Sequence, residues 1–359
     1  PFSIAKFLNF FFPFFKSKEV KILFNVLEKN QPKNSEIAMF VGGCVRKFLR
    51  NEIIEDIDVA TILSIDEIKE KIKGTSIKLI ETGVSHGTIT LIINEIKFEV
   101  TTLRRDIKTD GRHAEVSFID NWEEDSKRRD LTINAIYINK KGKIFNPQKG
   151  VEDLNSNTVK FIGEPSSRIQ EDYLRIIRYI RFSLQYSSKI DKITLDAIKL
   201  NLNGIKKISK ERILTELIKI INLNNFKFLN DNFDLKNIFL LIFPEFTYLD
   251  RLQKYKELKK VNRSLNQDIT LAVVLMDEKN SHEYFCHKYK VSNHLKNKLA
   301  KLSILFINSK RDINFFKKDL KKNLYYYGKN FLQDLNQLVF FEDRKNKIKD
   351  FLTIEKNIK

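Results

Sequence analysis

Two short runs, Val41-Gly42-Gly43-Cys44-Val45-Arg46 and Asp56-Ile57-Asp58, carry most of what this sequence says about its architecture. Adjacent glycines suit a tight turn and leave no Cβ between the backbone and a phosphate. Asp56 and Asp58 stand two apart inside the apolar run Ile53 to Ile62, so a strand presents both carboxylates on one face. Two such oxygens reach a pair of divalent cations. Phe98-Glu99-Val100, in the run Ile96–Leu103, sets a further carboxylate opposite its apolar neighbours and suits a third acid on an adjoining strand. The pattern predicts a nucleotidyl-transfer site, with Asp56, Asp58 and Glu99 catalytic and the first two ligating metal. Taken singly, each fragment is equally a loop glycine pair, a solvated acidic turn or a surface Glu.

Outward from this centre, β-branched runs at Ile77–Ile80, Thr88–Ile93, Ile96–Leu103 and Ile133–Ile138 alternate with polar turns, and Ile65–Lys73 has helical spacing. After Pro147-Gln148-Lys149-Gly150 the texture changes, and beyond Pro165 only helical periodicity remains. The expected class is α+β: N-terminal helices over 1–36, a mixed head over 37–150, a helical neck over 151–225, and a helical body and tail over 226–359. The stretch Phe2 to Phe15 holds seven phenylalanines; Pro13 and the helical spacing of Ile4, Phe7, Leu8, Phe11 and Phe15 predict an amphipathic helix docked on the next, Lys18 to Lys29.

The formal charge is +19, and it is uneven: residues 251–359 hold 25 Lys and Arg against 12 Asp and Glu, a net of +13. A basic C-terminal half favours a polyanion, with nucleic acid ahead of membrane; a merely solvated lysine surface is the plainer alternative. No apolar run reaches membrane-spanning length. Cys44 and Cys286 make no disulfide framework and fit a reducing compartment, the cytoplasm. His282-Glu283-Tyr284-Phe285-Cys286-His287 places its histidines five apart, not the four a zinc-protease helix needs, so these and His294 are expected to be surface or packing residues.

Arg128-Arg129-Asp130-Leu131-Thr132-Ile133-Asn134 joins a planar fork for phosphate to an acceptor for a ribose hydroxyl. A helix start capped by Asp130 is its structural alternative. In Glu171-Asp172-Tyr173-Leu174-Arg175-Ile176-Ile177-Arg178-Tyr179-Ile180-Arg181, the residues Asp172, Arg175, Arg178 and Arg181 recur every three, which predicts one helical surface. A carboxylate beside a guanidinium complements cytosine and adenine, each with an amino donor next to a ring-nitrogen acceptor. Uracil and guanine mismatch both partners.

These runs, with Lys210-Glu211-Arg212, resemble the ordered motifs of class II CCA-adding tRNA nucleotidyltransferases, which bacterial poly(A) polymerases share. The likeness spans about residues 37 to 220. It implies a polymerase-β-like head followed by helical neck, body and tail, and transfer of C, C and A from CTP and ATP to a tRNA 3′ end with release of pyrophosphate. Poly(A) addition, a partial CC- or A-adding enzyme, and a non-catalytic RNA-binding protein are the alternatives. It further implies Mg2+ on Asp56 and Asp58, and nucleotide binding by Gly42, Gly43, Arg46, Arg129, Asp130 and Asn134. Asp172 and Arg175 would template the base, with Arg178 and Arg181 beside them, and Glu211 and Arg212 would brace the neck. The stretch Thr101 to Val116 resembles the family's flexible loop, which argues against CC-only addition. Lys47 stands where the family usually has Asp, free to reach phosphate or to pair with Glu52 or Glu55. The chain is expected to act as a monomer or homodimer, off the membrane.

Overall fold

The computed structural model describes residues 9, 12–32, 35–81, 84, 87–109, 114–277, 279–343 and 345–358. It forms two compact units, residues 1–175 with 188–201, and residues 176–187 with 202–359. That division runs through the segment 151–225.

The first unit is built on a seven-stranded sheet. Its strands are Ala38–Val41 (β1), Ile57–Thr61 (β2), Lys78–Ile80 (β3), Thr88–Ile93 (β4), Ile96–Thr102 (β5), Tyr137–Ile138 (β8) and Ile144–Phe145 (β9), in the order β3-β4-β5-β2-β1-β8-β9. Among the described strands only β2 and β5 pair in parallel, with Asp58 opposite Glu99. Arg104–Thr109 (β6) and Ala114–Phe118 (β7) form a separate hairpin where the flexible loop is expected; its tip, 110–113, lies outside the described residues. Met39, Val41, Ala60, Leu103 and Tyr137 pack as one core cluster behind β1 and β2.

Helices of this unit are Lys18–Leu27 (α1), Gly43–Leu49 (α2), Ile65–Ile72 (α3), Trp122–Lys127 (α4), Gly150–Asn155 (α5) and Pro165–Glu171 (α6). Helix α3 shows why local sequence suffices in places. The Ser64 hydroxyl accepts from Glu67 N at 3.2 Å, the Glu67 carboxylate accepts from Ser64 N at 2.8 Å, and Ile68 and Ile72 are buried. The Phe-rich N-terminal helix falls mostly outside the described residues. Within them, Phe14–Lys16 is a 3-10 turn whose Phe14 ring meets Phe40 and Phe48 edge-on.

The strand expected over Ile133–Ile138 is mostly absent. Thr132–Asn134 is a 3-10 turn, and only Tyr137 and Ile138 join the sheet. Side chains take the place of the ladder: Asp130 accepts from Leu131 N, and Thr132 donates to Asp153. Gly150 completes the turn by close approach, since a Cβ there would stand 2.1 Å from the Thr132 carbonyl oxygen.

Leu174–Tyr186 (α7) follows, then Lys192–Asn201 (α8) in the first unit. The second unit is helical from Lys210–Leu223 (α9) to Ile348–Ile358. Phe239, Phe243, Phe246, Phe285 and Tyr289 interlock in its core. Its buried Lys254 is satisfied by three carbonyls, of Phe340, Asp343 and Asn346, at 2.7, 2.8 and 2.7 Å. Among the described residues no helix is long and apolar enough to cross a membrane.

Candidate active site

The glycine turn closes on Asp58. Gly42 has φ +74°, and a Cβ there would lie 3.1 Å from Asp58 Oδ2. The Gly43 N–H donates to that same oxygen at 3.4 Å. So Gly42 is needed first to seat a carboxylate, while Gly43 contributes a backbone N–H and has room for a Cβ, 3.8 Å from the same oxygen. Cys44, beneath the turn, is an inert packing thiol: burial, then the Asp58 charge, push it up to about 12.

Asp56 immediately precedes β2, Asp58 lies within it, and the parallel register brings Glu99 alongside Asp58. Burial raises the Asp58 carboxyl above its ordinary value; Gly43, Arg46 and Arg129 oppose this, while Asp56 adds to it. Glu99 is likewise raised, by burial and then by the charges of Asp58 and Asp56. Carboxylates that penalise one another's ionisation are relieved by a hard cation. Among the described residues no three His, Cys, Asp or Glu side chains form a closed ligand set. The open arrangement suits a metal shared between one or two carboxylates and a substrate phosphate.

Arg46, on α2, donates to Asn134 Oδ1, and Asn134 Nδ2 donates to Asp130 Oδ1 at 2.7 Å. These three predicted residues therefore form one connected chain. Arg128 and Arg129 follow the end of α4, which corrects the alternative of a helix start capped by Asp130. Their guanidinium groups converge on Asp125, a residue the sequence reading missed. Asp125 has no exposed surface and accepts from Arg128 Nε at 2.8 Å, Arg129 Nη2 at 3.1 Å and the Tyr137 hydroxyl at 2.8 Å. Its spacing, three and four residues before the arginines, was the available signal.

Asp172 departs from expectation. It lies between α6 and α7 with φ −155° and ψ 105°, not on a helix. Its carboxylate accepts from Leu174 N at 3.1 Å, at the start of α7, so it sits at a helix N-terminus and breaks the three-residue series. Arg175 is buried, and its Nη1 donates to Glu171 Oε2 at 2.6 Å and the Arg168 carbonyl at 2.7 Å. Asp172 and Arg175 belong to the first unit. Arg178 and Arg181 belong to the second, where both pair with buried Glu216, at 3.8 and 2.7 Å, and Arg181 stacks on Phe182. Ile176, Ile177, Ile180 and Phe182 are buried, as their positions imply. Lys47 pairs with Glu55 at 3.3 Å. His282 is buried and uncharged in preference, its pKa lowered by burial.

A family model described as the poly A polymerase head domain matches residues 38–160. Another, described as a probable RNA and SrmB-binding site of polymerase A, matches 189–249. The zebrafish (Danio rerio) mitochondrial CCA tRNA nucleotidyltransferase 1 is 35% identical over 314 residues, covering 83% of this chain and 70% of its own. The CCA-adding enzyme of Staphylococcus haemolyticus is 34% identical, over 86% of this chain and 74% of its own. This chain belongs to the CCA-adding enzyme family. The match to the human member is shorter, 43% identical over 58% of this chain and 49% of that one. Among solved members, the Bacillus stearothermophilus CCA-adding enzyme in complex with CTP has the same fold, with a TM-score of 0.74 at 22% identity over 95% of this chain and 80% of its own.

Proposed function

We propose that this chain adds C, C and A in turn to the 3′ end of tRNA, from CTP and ATP, without a template. The observation that carries the reading is the seating of Asp58: in register with Glu99, two residues from Asp56, and bonded to the glycine turn. The names of the curated relatives, and the CTP complex of a structural neighbour, support the same substrates.

Asp56 and Asp58 would hold Mg2+, with Glu99 beside them. Bound there, Mg2+ supplies neutralising charge for the triphosphate and a more acidic attacking hydroxyl. The Gly42-Gly43 turn admits the triphosphate without a side chain in its path, and Arg46 and Arg129 offer it positive charge. Asp130, oriented by Asn134, accepts from the ribose hydroxyl. The tRNA 3′-oxygen bonds to the α-phosphorus as the bond to pyrophosphate breaks. Asp172 accepts the base amino hydrogen and Arg175 donates to the ring nitrogen; Arg178 and Arg181, paired with Glu216 in the second unit, are proposed as further nucleotide-binding residues. The basic helices of 226–359 hold the RNA through its phosphates. Residues 37–150 act as head and 151–225 as neck, in the cytoplasm.

Incubation with a tRNA transcript ending at the discriminator base and Mg2+, with labelled CTP alone or with labelled ATP plus unlabelled CTP, tests this. CTP enters first, ATP enters only after it, and pyrophosphate is released. Absence of incorporation from either nucleotide would overturn the proposal.

A further inference from the structure

Arg168 carries no obvious chemistry in the sequence, yet it touches both halves of the nucleotide site. It lies on α6, three residues before Glu171. Its Nη2 donates to the carbonyl oxygens of Arg128 and Arg129, at 2.8 and 2.7 Å. Its Nη1 donates to both carboxylate oxygens of Glu171, at 2.7 and 2.6 Å. Glu171 in turn receives Arg175, whose Nη1 also bonds the Arg168 carbonyl at the C-terminal end of α6. One side chain thus ties the backbone on the ribose side to the residue assigned to the base. Its Nε is buried without a hydrogen-bond partner, so the group is placed for the sake of its two terminal nitrogens.

We propose that Arg168 is a positioning residue for base selection: it fixes Arg175, through Glu171, relative to the Arg128–Arg129 backbone. The proposal rests on the reading of Asp172 and Arg175 as the base-recognising pair. Two hydrogen bonds to a base discriminate only when donor and acceptor are held at a fixed distance from the ribose. Displacement of about 1 Å in such a group costs on the order of a hundredfold. A planar fork reaching two carbonyls on one side and a carboxylate on the other has no lysine equivalent.

The test is kcat and KM for CTP, ATP, UTP and GTP on one tRNA transcript, for the full chain and four variants. In Arg168→Lys, the preference for CTP over UTP is expected to fall about tenfold or more, mainly in kcat. Glu171→Gln keeps an oxygen for Arg175 and should stay nearer to wild type than Glu171→Ala, which makes the proposal testable even if Arg168→Lys folds poorly. Equal loss of rate for all four nucleotides in Arg168→Lys, or no difference between the two Glu171 variants, would overturn it. Arg175→Ala separates the two levels. If it abolishes the preference while Arg168→Lys does not, only the role of Arg168 falls. If it leaves the preference intact, the base is read elsewhere and both fall.

Discussion

Replacing Asp125 by Asn should destabilise the first unit severely. Burial pushes the Asp125 carboxyl up, but Arg129 and Arg128 outweigh it and hold the group at about 2, below its ordinary 3.8. That depression corresponds to about 2–3 kcal/mol of folding stability at neutral pH. The folded value lies below the unfolded one, so the contribution is present above pH ~4 and lost as pH falls through ~2. Asn removes the charge and leaves two mostly buried arginines, 14% and 16% exposed, without their counter-ion. Breaking a buried pair in this way costs about 3–5 kcal/mol. The assay is urea unfolding followed by the fluorescence of Trp122, the one tryptophan, which packs edge-on against Tyr137 at 5.7 Å and so reports on this unit. With a urea slope of about 1–3 kcal/mol per molar, the midpoint should drop by roughly 1–5 M. The gap between the two proteins should narrow as pH falls below ~4. A midpoint within ~0.3 M of wild type would refute the reasoning.

Asp56→Asn and Asp58→Asn should each abolish nucleotide incorporation while tRNA affinity, measured by filter binding, holds or tightens slightly; both variants keeping more than about a tenth of the rate would remove the metal assignment. Gly42→Ala forces a Cβ to 3.1 Å from Asp58 Oδ2 at φ +74°, so incorporation should fall and thermal stability should drop by about 1–3 kcal/mol; unchanged values on both would show that the turn adapts. Affinity for tRNA should fall steeply between ~50 and ~200 mM salt, and Lys321→Ala and Lys322→Ala should each lower the salt slope by about one; a flat salt dependence would reduce the basic half to a solvated surface.

Much of the head was legible because its signals are local. The capping box at Ser64, the glycines before Arg46 and the alternation around Glu99 each act within a few residues of themselves. The pairing of Asp58 with Glu99 is long-range, yet both strands announced their acids by pattern alone. What failed did so for physical reasons. Asp172 and Arg175 keep helical spacing across a break that neither Gly nor Pro marks, so periodicity ran straight through it. Ile133–Ile138 has β-branched texture, but side-chain bonds from Asp130 and Thr132 and the approach of Gly150 win over the ladder. Arg168 was invisible because half of its partners are carbonyls, which leave no trace in residue identity. Asp125 was missed although its spacing was available, since an acid before two arginines reads first as a solvated helix end.

The most direct test of the central claim is sequencing of the tRNA 3′ ends made by the full chain when all four nucleotides are supplied together with Mg2+ and no template. Ends that stop at C-C-A, with U and G absent and nothing formed by Asp58→Asn, are the predicted result. Runs of A of varied length, or ends in which all four nucleotides appear, would contradict it.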